Sequence, residues 1–155
     1  MYCKNISTLV GNVEIMATEQ HIISISITES RRPDSLYFPL CLLDCEQQLS
    51  EYFDGSRKTF QLPLAMEGST FQKTVWQALA NIPYGTTITY KELAQKIGNV
   101  NAARAVGNAN GQNPLCIVIP CHRVVKGNGK LGGYSAGNGT DTKRMLIEME
   151  REYGQ

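Results

Sequence analysis

Histidine is scarce in this chain, and acidic side chains are missing from most of one half. Only two histidines occur in 155 residues, His21 and His122, too few for a zinc site unless cysteines complete it. The five cysteines, Cys3, Cys41, Cys45, Cys116 and Cys121, are an odd number and lack the regular spacing of a disulfide framework. Reduced thiols in a reducing compartment are therefore expected. Cys41 and Cys45 fall in a stretch with helix-like spacing, Leu40 to Phe53, where packing explains them, and no metal is expected. No apolar run approaches the ~20 residues that cross a bilayer. The opening Met1-Tyr2-Cys3-Lys4 has no signal-peptide core. A soluble, cytoplasmic protein with no membrane partner is the expectation.

The acidic deficit is local. Residues 1–60 carry five basic and eight acidic side chains, whereas residues 70–144 carry nine basic ones against only Glu92 and Asp141. Scattered lysines usually mark a solvated face. Concentrated in one half, they point to a polyanionic partner.

The first sixty residues read as a small sheet followed by a helix. Gly11-Asn12 is placed as a two-residue hairpin turn between Thr8-Leu9-Val10 and Val13 to Ala17. His21 to Thr28 alternates, with Ile23, Ile25 and Ile27 on one face of a half-buried strand. Leu42, Leu43, Leu49, Tyr52 and Phe53 then give an amphipathic helix ended by Asp54-Gly55. No catalytic grouping appears here, and residues 1–63 are assigned to a scaffold domain, with 64–155 as a second domain.

In that second domain Ser69 to Gln72 and Thr89 to Glu92 each have the spacing of a capping box. The first opens a helix with Phe71, Val75, Ala78, Leu79 and Ile82 at helical spacing, stopped by Pro83-Tyr84-Gly85. The second opens a short helix stopped by Gly98, and Asn101 can cap a third, Ala102 to Val106. Two short helices joined by a tight connection read as a helix-turn-helix. The second of them offers alanines and Arg104 where a major-groove reader has several long polar side chains. Small residues suit close backbone approach, and a lone arginine suits insertion into a base stack; the plainer reading pairs Arg104 with a surface carboxylate. A last helix, roughly Thr142 to Tyr153, buries Leu146, Met149 and Tyr153, with Glu150 at the margin as a rim charge or as the group that orients a histidine.

The chemistry concentrates in Pro120-Cys121-His122-Arg123-Val124. Ile117-Val118-Ile119 reads as a buried strand that delivers the thiol to its end, where Pro120 terminates it. Neighbouring side chains on a strand face opposite ways, so Cys121 and His122 meet only through a turn or a bridging water. A nearby imidazole or cation converts thiol to the reactive thiolate. The glycine-rich loop Gly127 to Ser135 is not a phosphate-binding P-loop, because Val124 stands where that pattern's first glycine would fall and Leu131 where its Ser/Thr would. Its glycines suit a backbone that approaches a flat ligand, with Tyr134 as a wall.

Taken together, Gly68-x-x-Phe71-Gln72-x-x-Val75-Trp76, Ile82-Pro83-Tyr84-Gly85, Ala103-Arg104-Ala105-Val106-Gly107, Asn113-Pro114, Ile119 to Val124, Gly133-Tyr134-Ser135 and Lys143 to Glu150 resemble the O6-alkylguanine-DNA alkyltransferases. The resemblance implies an α+β protein: a small N-terminal antiparallel-sheet, ribonuclease-H-like domain and a mainly helical C-terminal domain with a helix-turn-helix. It implies irreversible transfer of one alkyl group from O6-alkylguanine in duplex DNA to Cys121, without a cofactor, by a monomer; O4-alkylthymine stays open as a second substrate. His122, through water, would be the base and Glu150 its orienting group. Asn113 would brace the cysteine's turn, and Tyr90 would protonate the leaving guanine. The Ser135 N–H would bond O6, the Cys121 and Val124 carbonyls would accept from the exocyclic amine, and Tyr134 would wall the pocket. Arg104 would fill the vacated stack, with Ala103 and Lys143 among the remaining substrate- and DNA-binding residues. Met149 departs from the histidine that the family often has before the glutamate. Thr18 and Ile23 stand where some members place zinc ligands, so no metal is carried over. The competing readings are a non-enzymatic damage-binding relative, which would lack the reactive cysteine, and a cysteine hydrolase, which would leave the basic half unexplained.

Overall fold

The computed structural model describes residues 1–154, which cluster into two compact units, Met1–Met66 with Pro114–Cys116, and Glu67–Asn113 with the chain from Ile117 onward. The fold is α+β: a three-stranded antiparallel sheet in the first unit and mainly helices in the second.

In the first unit β1 (Tyr2–Thr8), β2 (Gly11–Ala17) and β3 (Ile22–Ile27) pair in sequence order. The hairpin turns at Leu9-Val10, not at Gly11-Asn12. Thr8 Oγ1 accepts the Val10 N–H at 3.2 Å and donates to the Gly11 carbonyl at 2.8 Å, which closes the turn early and buries Val10. In β3 the fully buried residues are Ile22 and Ile25, with Ile23 half-buried, because a bulge at Met16/Ala17 shifts the register. The helix α1 spans Leu40–Phe53, the stretch its spacing indicates, and buries Leu42, Cys45, Leu49 and Tyr52 while Leu43 stays exposed. Burial pushes the Cys45 thiol up to about 12, so it behaves as a small apolar core residue. Pro114 and Cys116 close this unit through the Ile25 backbone, at 2.9 and 3.1 Å.

The second unit begins with α2 (Thr70–Ala80), followed by β4 (Ile88–Thr89), α3 (Tyr90–Lys96) and α4 (Ala103–Gly111). Both capping boxes form in full, Ser69 with Gln72 and Thr89 with Glu92. Phe71 is exposed, since the inward face of α2 belongs to Val75, Trp76 and Leu79. Trp76 Nε1 donates to the Ala109 carbonyl of α4 at 2.9 Å, and a Cβ on Gly68 would lie 2.7 Å from the indole, so only glycine fits beneath it. Asn101 caps nothing: α4 starts one residue beyond the expected position, behind Ala102, and runs on to Gly111 because Val106, Ala109 and Asn110 are buried along it. Residues 97–102 join α3 to α4, a helix-turn-helix.

Ile117 to Ile119 form a turn, not a strand. Ile117 sits at φ +74°, a left-handed conformation that a β-branched residue adopts only under constraint. A short apolar run is buried in a turn as readily as in a strand, so periodicity gave no discrimination. A 3-10 turn (Cys121–Arg123) leads into β5 (Val124–Val125), which pairs in parallel with β4. The final helix α5 (Thr140–Tyr153) buries Lys143, Leu146, Ile147 and Glu150, an i, i+3, i+4, i+7 face, while Tyr153 is exposed. Among the described residues no helix is long and apolar enough to cross a membrane.

Candidate active site

The backbone around the thiol is a sequence of tight turns. Pro120, at φ −81° and ψ +65°, has the geometry of an inverse γ-turn, with the Cys121 N–H on the Ile119 carbonyl at 2.8 Å. Asn113 Nδ2 donates to that same carbonyl at 2.7 Å. The Cys121 carbonyl in turn accepts two donors, the Val124 N–H and Asn110 Nδ2, the latter at 3.3 Å. Cys121 is 4% exposed, so its thiol is presented from an enclosed position. The 3-10 turn, in place of a strand end, decides how Cys121 and His122 are disposed.

His122 is fully buried, and its Nε2 lies 2.6 Å from Glu150 Oε2. Arg123 grips the same carboxylate from Nε to Oε1 at 2.8 Å and from Nη2 to Oε2 at 3.1 Å, while its Nη1 donates to the Ile82 carbonyl at 2.6 Å. The Gly85 N–H adds a bond to Oε1 at 3.2 Å, from a left-handed glycine at φ +78°. Burial opposes ionisation of Glu150. The hydrogen bonds from His122 and Arg123, together with the Arg123 charge, overcome it and hold the carboxyl down at about 2. His122 is shifted below its ordinary value, chiefly by burial, and is neutral. With Glu150 ionised, His122 Nε2 carries the proton and donates it. Nδ1, which has no hydrogen-bond partner among the described residues, is the basic nitrogen.

A second cluster flanks the thiol. Lys143 is completely buried, with Nζ 3.3 Å from the Gly133 carbonyl and 3.5 Å from Tyr90 Oη. Burial lowers Lys143 to about 8, with Cys121 acting in the opposite direction. Burial and then Cys121 raise Tyr90. Because Lys143 donates to the phenol oxygen, the phenolic hydrogen of Tyr90 is left for another acceptor. Tyr90, Gly107, Asn110, Gly111, Gly133, Tyr134 and Ser135 line a cavity of about 330 Å³. Ser135 Oγ donates to the Gly111 carbonyl at 3.0 Å across it.

The structure thus links Cys121, Asn113, His122 and Glu150 by hydrogen bonds or direct chain connection. It sets Tyr90 beside Lys143 and gathers Tyr134 and Ser135 with Tyr90 in one cavity. Val124 is buried and follows the turn in β5. Ala103 and Arg104 open α4, one helical turn before the cavity-lining Gly107; Arg104 is exposed and has no carboxylate partner among the described residues. Two of the nine cations read as a basic surface, Arg123 and Lys143, are buried instead. Arg123, Asn110 and the Gly85 N–H escaped the sequence reading. Arg123 stood inside the informative pentapeptide, but nothing local says that an arginine is buried against a residue 27 positions away.

The model of the 6-O-methylguanine DNA methyltransferase DNA-binding domain matches residues 70–152, and that of its ribonuclease-like domain matches residues 1–66. The chain is 52% identical over 107 residues to a methylated-DNA–protein-cysteine methyltransferase of Methanosarcina acetivorans, covering 69% of this chain and 67% of that one. It is 51% identical over 110 residues to the constitutive one of Bacillus subtilis, covering 71% and 66%. The chain therefore spans about two thirds of the length of these curated relatives. Mycobacterium tuberculosis OGT, solved in complex with DNA, aligns with a TM-score of 0.89 at 38% identity, over 99% of this chain and 94% of that one. With both domain models matched in order, the chain belongs to the O6-methylguanine DNA methyltransferase family.

Proposed function

We propose that this protein repairs alkylated DNA by moving the alkyl group of O6-alkylguanine onto Cys121 in one irreversible turnover. The observation that carries this reading is the buried chain Cys121–His122–Glu150, closed by the 2.6 Å Nε2···Oε2 contact. His122 Nδ1 takes the thiol proton through water. Ionised Glu150 holds the imidazole in the right tautomer and balances the imidazolium that forms, while Arg123 keeps Glu150 ionised. The thiolate attacks the alkyl carbon: the S–C bond forms, the C–O bond breaks, and the electron pair goes to the guanine. Tyr90 supplies the proton that makes guanine a neutral leaving group, assisted by the Ser135 N–H at O6.

The alkyl carbon is unreachable inside a duplex, so the nucleotide is flipped out, at a cost of a few kcal/mol. The cavity walled by Tyr134 receives it, and Arg104 takes its place in the stack. The exposed basic side chains hold the backbone, so binding weakens steeply with salt. Asn113 positions the cysteine turn through the Ile119 carbonyl, and Val124 presents a carbonyl to the base. Lys143 supplies positive charge beside the thiolate. The protein acts as a cytoplasmic monomer and needs no cofactor.

Intact-protein and peptide mass spectrometry after mixing with a duplex bearing one O6-methylguanine tests the proposal. One methyl group on the Cys121 peptide, stopping at one per molecule, is expected, and Cys121→Ser abolishes it with little loss of DNA binding. Tight binding with no mass gain overturns the transfer reading in favour of a damage-binding protein. Neither binding nor transfer returns the pair Cys121–His122 to the hydrolases.

A further inference from the structure

Asn110 is buried at 4% exposure on α4 and lines the cavity assigned above to the flipped base. Its amide orientation is determined by its neighbour: Nδ2 must face the Cys121 carbonyl, an acceptor, so Oδ1 faces the other way. Among the described residues Oδ1 has no hydrogen-bond partner. A buried acceptor left unmatched is unfavourable, and in folded proteins it usually marks a site completed by something else.

The chemistry of the base narrows what completes it. Alkylation at O6 removes the N1 hydrogen of guanine, so the only N–H donor left on the base is the exocyclic 2-amino group. The two acceptors that the family resemblance assigns to that amine are the Cys121 and Val124 carbonyls. Here the Cys121 carbonyl already accepts from the Val124 N–H and from Asn110 Nδ2, which occupies both of its lone pairs. The unoccupied acceptor on the same side chain is Asn110 Oδ1.

We propose that Asn110 is a specificity-determining residue whose Oδ1 accepts a hydrogen bond from the 2-amino group of the alkylated purine. The inference rests on the repair reading above and deepens it. One side chain thereby serves two purposes: Nδ2 ties the backbone of the nucleophile, and Oδ1 reads the base that the nucleophile attacks. A pocket built in this way favours alkylated guanine over alkylated hypoxanthine, which lacks the amine.

The test compares single-turnover transfer from duplexes carrying O6-methylguanine or O6-methylhypoxanthine. Wild-type protein should prefer the guanine lesion by about tenfold or more, the range for a buried acceptor deprived of its donor. Asn110→Ala, which keeps helix propensity, should reduce that preference to about threefold or less. Asn110→Asp, which keeps an acceptor and loses the donor to Cys121, should retain the preference even where its absolute rate falls. Thermal unfolding and duplex binding establish that each variant is folded, and if Asn110→Ala does not fold, the Asp variant and the wild-type ratio decide. Equal wild-type rates on the two lesions would overturn the proposal. So would an Asn110→Ala variant slowed equally on both lesions, which would mean a purely structural role. Absence of transfer from either lesion to wild-type protein would instead overturn the repair reading itself.

Discussion

The two units of this chain bury polar side chains in different ways. In the first, Asn5 is the centre of a compact network: its backbone N–H and Nδ2 both reach Asp34 Oδ1, at 2.9 and 2.7 Å, Nδ2 also reaches the Arg32 carbonyl, and Oδ1 accepts from Asn12. These bonds fasten Arg32 and Asp34 to β1. In the second, His122, Arg123, Lys143 and Glu150 are all buried, and three of them carry charge at neutral pH. Buried ion pairs seldom improve stability over a well-packed apolar alternative. A fold that needed only cohesion could have used apolar packing or neutral bridges of the Asn5 kind. Buried charge beside a thiol and a histidine is the signature of chemistry.

The largest break in this contrast is Glu150→Gln. It leaves Arg123 buried without its counter-charge, and should cost about 3–5 kcal/mol in urea denaturation. Transfer to Cys121 should slow by at least about a hundredfold, because His122 loses the group that orients it. A variant near wild type in both assays would remove Glu150 from the site.

Acid should expose the same difference without a mutation. Glu150 is held at about 2, below its unfolded value, so its stabilisation is complete above the ordinary carboxylate range and is lost as pH falls toward 2. His122, kept neutral by burial, adds stability above about pH 6.5 that is lost as pH falls below it. Both signs agree, so unfolding midpoints should drop steadily below about pH 6.5. The Glu150 share amounts to about 3 kcal/mol, and Glu150→Gln should flatten that part of the profile. A flat wild-type profile between pH 7 and 3 would contradict the assignment.

Arg104→Ala separates flipping from chemistry. Repair of a duplex should slow about tenfold, whereas reaction with free O6-benzylguanine, which needs no flipping, should stay within twofold. Equal losses on both substrates would count against a stack-filling role. The smallest effect on chemistry belongs to the first unit. Asn5→Ala should cost about 1–3 kcal/mol of stability, yet leave the rate with free O6-benzylguanine unchanged. A large rate loss there would dissolve the distinction between the units.

Legibility in the sequence followed the range of the interaction. Ser69 with Gln72 and Thr89 with Glu92 are three residues apart, and both capping boxes form as read. The helix over Leu40–Phe53 follows from its apolar spacing and the stop at Asp54-Gly55. The misplacements arose where a local preference was overruled. Thr8 closed the hairpin ahead of Gly11, a bulge moved burial from Ile23 to Ile22, and the apolar run Ile117 to Ile119 was bent into a turn with a left-handed isoleucine. Lys143 and Arg123 looked like surface cations because composition carries no information about burial.

The sequence by itself determined the sheet-then-helix order of the first unit, the helix starts written as capping boxes and the thiol beside an imidazole, all set by neighbours a few residues apart. It also carried the motif order by which the family was recognised. Tertiary structure alone decided the ionisation of Glu150, the tautomer of His122, the burial of Lys143 against Tyr90 and the two roles of the Asn110 amide. Each of these depends on groups that meet across 11 to 53 positions of chain. Protonation and hydrogen-bond direction are properties of an enclosed environment, which exists only once those distant segments have packed.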